Sequence, residues 1–192
     1  MKMKVLILYN IATMIQKGVA DDLLCEQEIK IILPLIIDLL RNKGHEVESL
    51  ETNLTLWENL KERKGKFDIV LNLAEAFGGG NKNEALVPMM LEALGIPFTG
   101  ASAQNMSFTM DKEKTNLVMN AYGIAVPGHQ VFRNETAVLD PSLKFPLIVK
   151  PIREEASIGI RLDSVVRNEG DLRKKVGEVL SLYRQPALVE SF

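Results

Sequence analysis

The 192-residue chain has little of what builds disulfides, metal clusters or membrane spans. Cys25 is its single cysteine, so it cannot form an internal disulfide, and its place in a predicted helix favours a packed thiol. His129 has no histidine, cysteine or paired carboxylate at metal-ligand spacing, and we interpret it as structural. No apolar run reaches the roughly 18 residues that cross a bilayer, and residues 1–4 lead directly into a predicted strand. We therefore expect a cytoplasmic protein with no membrane partner.

Neither positive nor negative charge is in large excess. The formal net charge is -2 although 25% of the residues are charged. Such a balance gives no reason to expect nucleic acid or an anionic membrane as a partner. A hydrophobic content of 46% is ordinary for a globular protein, and the length suffices for one or two domains with a core.

Strands and helices alternate in the first half of the chain. The apolar run VLILY at residues 5–9 is typical of a strand buried on both faces of a parallel sheet. An irregular loop at 10–20 precedes a predicted amphipathic helix over 21–43, which Pro34 should kink or split and Gly44 should end. Further strands and helices are predicted at 45–50 (strand), 53–63 (helix), 67–73 (strand), 84–94 (helix) and 96–99 (strand). This βαβαβ order predicts a parallel sheet with helices on both faces.

The second half has two short helices followed by a pattern rich in strands. Ser102 and Asp111 are predicted N-caps, and Gly123 should end the second helix. The remaining elements are predicted at 126–132, 145–151, 158–165 and 187–190 (strands) and 170–183 (helix). The predicted fold class is therefore α/β, with a three-layer parallel-sheet domain over 1–100 and a smaller α+β unit over 101–192.

The stretch FPLIVKPIREEASIGI at 145–160 carries the clearest functional signal. Lys150 lies at the end of a short apolar strand, where a buried ammonium group needs an anionic partner. In the following loop, Ser157 and Gly159 can turn backbone N–H groups toward an anion. The pattern indicates a phosphate clamp. An ordinary hairpin whose lysine extends to solvent is the alternative that spacing alone leaves open.

The same stretch resembles ATP-grasp ligases of the D-alanine–D-alanine ligase group. Their pattern K-P-x-x-E-x-x-S-x-G is carried here by Lys150, Pro151, Glu154, Ser157 and Gly159. Further matches follow the order of that group, namely LEALGIPFTGAS at 91–102, MDK at 110–112 and LVES at 188–191. The resemblance covers most of residues 68–192 and is absent from 10–20. It implies a pre-ATP-grasp (Rossmann-like) domain over 1–100 and the first, small lobe of an ATP-grasp domain, truncated, over 101–192.

The resemblance also implies roles for single residues. Lys150 would bind the α-phosphate of ATP, Lys112 would reach toward the phosphates, and Glu190 would accept a hydrogen bond from the adenine amino group. Lys112 could instead be a solvated lysine at a helix start. The implied nucleotide-binding residues are Lys112, Lys150, Glu154, Ser157, Gly159 and Glu190.

The substrate side departs from the ligase pattern. Those ligases carry a glycine-rich turn with a carboxylate after the first strand and a His-Gly pair after a later one, whereas this chain has YNIATMIQKG and Glu75-Ala76. Candidate substrate-binding residues are Glu26, Glu75 and Gly78. Glu28 could replace Glu26, helix-surface charge is the other interpretation of both, and the glycine run at 78–80 is also typical of a flexible turn.

The implied reaction uses ATP and Mg²⁺ to phosphorylate a carboxylate, after which the amine of a second amino-acid-like substrate attacks the acyl phosphate, as in peptidoglycan biosynthesis. The resemblance places the Mg²⁺ ligands and the catalytic residues in a following half of the ligase. We therefore expect no metal ligand and no catalytic residue in this chain, which would be inactive alone. The face uncovered by such a truncation should expose Ile148, Ile152, Leu188 and Phe192, and a homodimer could cover it.

A non-catalytic ligand-binding or interaction protein on the same scaffold is the alternative. Ala156 replaces a serine that contacts substrate in the ligases, and Glu155 replaces a glycine. Two like charges about 4 Å apart repel by roughly 4 kcal/mol at an effective dielectric constant near 20. Glu155 must therefore point away from the phosphates, or nucleotide affinity is reduced.

Overall fold

The computed structural model describes residues 1–12, 17–23, 27–77 and 83–192. Contacts divide the chain into two compact units, the first within 1–14 and 23–107 and the second within 15–22 and 108–192. The short segment that follows the first strand thus belongs to the second unit, which sequence patterns did not predict. The identities of the two domains and their boundary at residue 100 stay predictions.

The first unit is built on a parallel three-stranded sheet. Strand β1 (Lys4–Tyr9) lies between β2 (Glu46–Glu51) and β3 (Ile69–Leu73) and pairs with both in parallel register. Leu6 and Leu8 point into one apolar cluster and Ile7 into another on the opposite face. Because both faces are covered, β1 is apolar at every position, as its sequence predicted.

Helices cover both faces of this sheet. Helix α1 (Ile29–Asn42) packs on the face that contains Ile7, and α2 (Leu56–Arg63) and α3 (Leu86–Leu94) pack on the other. Helix α4 (Ala103–Thr109) ends the unit. The predicted three-layer arrangement is confirmed.

Two details of the first unit differ from prediction. Helix α1 begins at Ile29, not at 21, and continues through Pro34 without a break. The predicted strand at 96–99 forms only an isolated bridge between Val70 and Phe98. Pro97 accepts a hydrogen bond from the Val70 N–H at 2.8 Å but has no N–H of its own, so the ladder cannot extend.

The second unit has an antiparallel sheet of four strands in the order β4-β7-β5-β6. These strands are His129–Phe132 (β4), Leu147–Pro151 (β5), Val165–Val166 (β6) and Ala187–Ser191 (β7). Helix α6 (Glu169–Glu178), extended by a π-helical turn to Tyr183, packs its apolar side on one face of the sheet. Helix α5 (Lys112–Ala121) starts at the predicted cap Asp111.

The predicted strand at 158–165 is wrong except at its end. Residues 156–160 form tight turns, with hydrogen bonds from the Ile158 N–H to the Glu155 carbonyl and from the Ile160 N–H to the Ser157 carbonyl. A short 3₁₀ helix at Leu162–Ser164 follows, and only Val165–Val166 joins β5. Backbone amides that close turns cannot also pair with a neighbouring strand.

The predicted apolar exposure in the second unit is only partly correct. Phe192 is 71% exposed, but Ile152 and Leu188 are buried at 1% and 0%. The homodimer stays a prediction, with less apolar surface to support it than expected. No helix among the described residues combines the length and apolarity that a membrane span requires.

Candidate functional site

Lys150 and Glu190 lie side by side on one face of the second sheet. In the antiparallel register Ile148 is opposite Glu190 and Lys150 is opposite Leu188, which makes Lys150 and Glu190 diagonal neighbours. Their side chains form an ion pair, in which the side chain of Lys150 is 25% exposed and that of Glu190 is 8% exposed. The strand lysine therefore has the anionic partner that its sequence context required, and it does not extend to solvent.

The second carboxylate oxygen of Glu190 is held by helix α5. Asn116 Nδ2 donates to Glu190 Oε1 at 2.9 Å, while Oε2 accepts from Lys150. Sequence reasoning missed Asn116. Its position one helical turn after Lys112 is the only signal that could have indicated it, because i and i+4 share a face.

Lys112 is positioned by the start of the same helix. The Asp111 carboxylate accepts from the Lys114 N–H at 3.2 Å, and the Lys112 N–H donates to the Ile152 carbonyl at 3.1 Å. The Lys112 ammonium donates to the carbonyl oxygen of Glu154. Lys112 is therefore fixed at the end of β5 and is not a solvated lysine.

Burial is the main cause that lowers the pKa of Lys112, and the charge of nearby Lys150 adds to it. The carboxylates of Glu155, Glu154 and Glu190 oppose this effect. A partly desolvated ammonium group beside a second cation is a favourable place for an anion. The anion offsets both the cost of desolvation and the repulsion between the two cations.

Glu154 is turned into the second unit and is only 4% exposed. Its carboxylate contacts the Lys17 ammonium and the Gln185 side-chain amide. Gln185 in turn accepts from the Arg153 N–H at 2.6 Å. Sequence reasoning placed Glu154 at the nucleotide but did not identify Lys17 or Gln185, which lie far from it in the chain.

The loop after β5 has an unusual backbone. Ala156, Ser157 and Gly159 have φ angles of 47°, 61° and 77°, in the left-handed region. Within the described residues, the amides of these three residues donate to no protein acceptor. Backbone N–H groups that have no protein acceptor can bind an anion, and left-handed non-glycine residues occur often in functional loops.

Gly159 cannot be replaced without strain. A Cβ atom at this position would lie 2.5 Å from Pro151 Cγ and 2.9 Å from Tyr183 Cζ. The loop therefore passes directly over the last residue of β5 and the Tyr183 ring, and glycine is needed both for its backbone angle and for its size.

The substrate candidates belong to the first unit or lie outside the described residues. The loop after β3 is tied to the end of β1, because the Asn10 side chain accepts from the Glu75 N–H at 2.7 Å and from the Ala76 N–H at 3.2 Å. Asn10 was not predicted. Glu26 and Gly78 lie outside the described residues, as does Cys25.

No three His, Cys, Asp or Glu side chains of the described ranges gather in a way that could hold a metal ion. The Mg²⁺ that the resemblance implies therefore has no ligands assigned in this part of the chain.

No protein-family model matches the chain. Over 159 residues it is 33% identical to the D-alanine–D-alanine ligase of Glaesserella parasuis, in an alignment that covers 81% of this chain and 50% of the ligase. Its fold matches that of the Bacillus anthracis D-alanine–D-alanine ligase with a TM-score of 0.66, over 99% of this chain and 57% of the other, at 22% identity. The chain is related to D-alanine–D-alanine ligases.

Two further similarities concern the fold and an uncharacterised protein. The Bacillus anthracis enzyme complexed with ATP gives the same TM-score of 0.66 over 99% of this chain and 58% of the other, at 22% identity. An uncharacterised protein of Sinorhizobium fredii, y4sG, is 36% identical over 124 residues, which are 65% of this chain and 35% of that protein. The predicted α/β ATP-grasp architecture is confirmed. The chain spans about half of the length of the curated ligases it matches.

Proposed function

We propose that the second unit binds ATP for a carboxylate–amine ligase of the D-alanine–D-alanine ligase type. The observation that carries the proposal is the convergence of Lys112 and Lys150 beside a loop whose amides lack protein acceptors. Two ammonium groups and backbone N–H groups that have no protein acceptor can bind the oxygens of a polyphosphate.

In the proposed complex, the ion pair between Lys150 and Glu190 opens when ATP arrives. Lys150 moves to the α-phosphate, and the Glu190 oxygen that it leaves accepts from the adenine amino group. Asn116 keeps the other Glu190 oxygen in place, at 2.9 Å in the free protein. The ion pair thus holds both groups in position before the nucleotide binds, which reduces the cost of ordering them.

The phosphates would be held by Lys112 and by the loop of Ser157 and Gly159. Burial lowers the pKa of Lys112 because it destabilises the charged ammonium, and an approaching phosphate would stabilise that charged form. Glu154 contributes through its carbonyl oxygen, which orients the Lys112 ammonium, while its carboxylate faces away from solvent.

The proposed reaction begins when the γ-phosphoryl group of ATP passes to a substrate carboxylate. The amine of a second D-alanine-like substrate then attacks the acyl phosphate and releases phosphate. Mg²⁺ would neutralise the phosphoryl oxygens during transfer. The residues assigned above bind and position ATP, so we propose ligation for the whole protein and expect no ligation by this chain alone. A cytoplasmic role in peptidoglycan synthesis belongs to the same proposal.

One observation favours a non-catalytic ligand-binding protein instead. Glu155 is exposed, and its charge acts on Lys112 strongly enough to oppose the effect of burial on that pKa. Its carboxylate therefore weakens the positive potential that phosphates would meet.

Isothermal titration of the full chain with Mg-ATP tests the proposal. K112A and K150A should each weaken binding by about tenfold or more, equivalent to about 1.4 kcal/mol. K114A, on the exposed side of the same helix, should change it less than about twofold. Circular dichroism confirms that each variant is folded, and E190Q should reduce the preference for ATP over GTP.

Wild-type protein that does not bind ATP, or lysine variants that bind like the control, would refute ATP binding. E155G tests the alternative, because ATP affinity should rise when the acidic side chain is removed if Glu155 weakens phosphate binding. Equal ATP affinity of E155G and wild type would show that Glu155 points away from the phosphates and would remove the observation that favours the non-catalytic protein.

A further inference from the structure

The segment at residues 17–22, here called the strap, is held on the second unit by several contacts. The Gly18 N–H donates to the Leu182 carbonyl at 2.8 Å. The Asp22 carboxylate accepts from the Val19 N–H and from the Tyr183 hydroxyl, both at 2.9 Å. The sequence motifs that resemble the ligases all lie outside this stretch, and the nucleotide site described above does not account for it.

The strap and the loop at residues 154–160, here called the phosphate loop, pack on the same aromatic ring. A Cβ atom on Gly18 would lie 2.9 Å from Tyr183 Cε1, and one on Gly159 would lie 2.9 Å from Tyr183 Cζ. The Tyr183 hydroxyl is anchored by Asp22. The ring thus connects the strap with the far end of the loop.

Lys17 connects the strap with the near end of the loop. Its ammonium pairs with the carboxylate of Glu154, and the two side chains are only 20% and 2% exposed. The carbonyl oxygen of the same glutamate accepts from the Lys112 ammonium. A change in how the Glu154 carboxylate is held therefore acts on the backbone group that orients Lys112.

We propose that Lys17 is a positioning residue of the phosphate loop, and that its charge holds Glu154 so that the Glu154 carbonyl aims Lys112 at the nucleotide. Without the ammonium, the buried Glu154 carboxylate would lose its ion-pair partner and keep the hydrogen bond from the neutral Gln185 amide. It would then attract Lys112 directly or move toward solvent, and either change displaces the loop. The effect on nucleotide affinity rests on the proposed function, whereas the effect on the loop does not.

Hydrogen exchange of the full chain, without nucleotide, tests the positioning role. K17M should speed amide exchange of residues 154–160 by about tenfold or more, while the sheet amides of β4, β5 and β7 keep their protection. K17R should behave like wild type, and K17M/E154Q should restore slow exchange, because it removes the buried charge together with its partner. K2M is the matched control, since Lys2 pairs with Glu46 where both side chains are exposed, at 65% and 53%.

Unchanged loop exchange in K17M would overturn the proposal, and so would faster exchange that K17M/E154Q fails to correct. Loss of protection throughout the second unit in both variants would show a general structural role and would overturn it as well.

Titration with Mg-ATP is the second readout. K17M should bind about tenfold more weakly than wild type, and K17M/E154Q should regain most of the affinity. If wild-type protein binds no ATP, the proposed function fails, and the exchange data still decide whether Lys17 positions the loop. If wild-type protein binds ATP and K17M binds equally well, the link from Lys17 to the nucleotide is wrong while ATP binding stands.

Discussion

Arg153 directs two of its guanidinium nitrogens at a single carboxylate oxygen of Asp111, with Nε at 3.1 Å and Nη2 at 2.9 Å from Oδ2. The other oxygen, Oδ1, caps α5 by accepting from the Lys114 N–H. One buried carboxylate therefore joins the start of the phosphate loop to the helix that carries Lys112. Burial by itself would raise the pKa of Asp111, but the hydrogen bonds from Lys114 and Arg153 outweigh it and lower the pKa.

The first prediction concerns acid stability. Because the folded-state pKa of Asp111 lies below the ordinary value of 3.8, its charged form stabilises the fold above that pH. This contribution is lost as the pH falls below 3.8 through the folded-state pKa. D111N, which can still cap the helix, should lower the free energy of unfolding at pH 7 by about 1 kcal/mol.

Urea denaturation at pH 7 and at pH 3 measures this effect. The difference in stability between wild type and D111N should shrink at the lower pH. A difference that is the same at both values would show that the charge of Asp111 is not what stabilises the unit.

The second prediction concerns Gly159. G159A should destabilise the second unit by about 1–3 kcal/mol more than G123A does. Both glycines have a left-handed φ, 77° and 74°, so the backbone strain is matched. Only Gly159 has neighbours in the way, since a Cβ atom on Gly123 would meet nothing within 4 Å. Thermal denaturation of the two variants compares them, and equal melting temperatures would contradict the close packing of the loop on Pro151.

The third prediction concerns ionisation of Tyr183. Burial, and then the hydrogen bond to the Asp22 carboxylate, raise the pKa of its phenol above the ordinary value of 10.0. Its contribution to stability is therefore complete below pH 10 and is lost as the pH rises through the folded-state pKa. In a titration followed by tyrosinate absorbance, the signal of folded protein up to about pH 11 should be the same in wild type and Y183F.

A smaller signal in Y183F over that range would mean that Tyr183 ionises like an exposed tyrosine. Y122F is the comparison variant, because Tyr122 is 82% exposed whereas Tyr183 is buried.

The fourth prediction concerns base selectivity and rests on ATP binding. N116L removes the amide that holds Glu190 Oε1 and leaves a side chain of similar size. The ratio of ATP affinity to GTP affinity should fall about fivefold to tenfold, because the carboxylate is no longer fixed for the adenine amino group. N120L, at an exposed position of the same helix, should leave the ratio unchanged. Competition binding with the two nucleotides measures the ratio, and a fall of equal size in both variants would remove Asn116 from the adenine site.

Local patterns predicted most of the elements because their causes are local. The apolar run of β1, the cap at Asp111 and the left-handed glycines Gly44 and Gly123 at helix ends all act within a few residues. The predicted strands at 96–99 and 158–165 were wrong because backbone N–H groups there are missing or already hydrogen-bonded within turns. Pro97 has no N–H to extend a fourth strand, and the turns at 156–160 use the amides that a strand would need.

Resemblance brought Lys112, Lys150 and Glu190 to attention, and the structure places them together, although their roles toward a nucleotide stay predictions. Their partners could not be inferred in the same way. Lys17 and Asn116 fall outside every matched motif, and a contact with a residue far along the chain leaves no periodic signal in the sequence.

By itself, then, the sequence determined the order of most elements, the parallel character of the first sheet, and the relationship to D-alanine–D-alanine ligases. Only the tertiary structure decided that the strap belongs to the second unit, that Glu154 faces inward to Lys17, and that Lys150 is paired with Glu190. The physical reason is the range of the forces. Helix caps and apolar periodicity act between near neighbours in the chain, whereas a buried charge is stabilised by whichever opposite charge the completed fold brings to it.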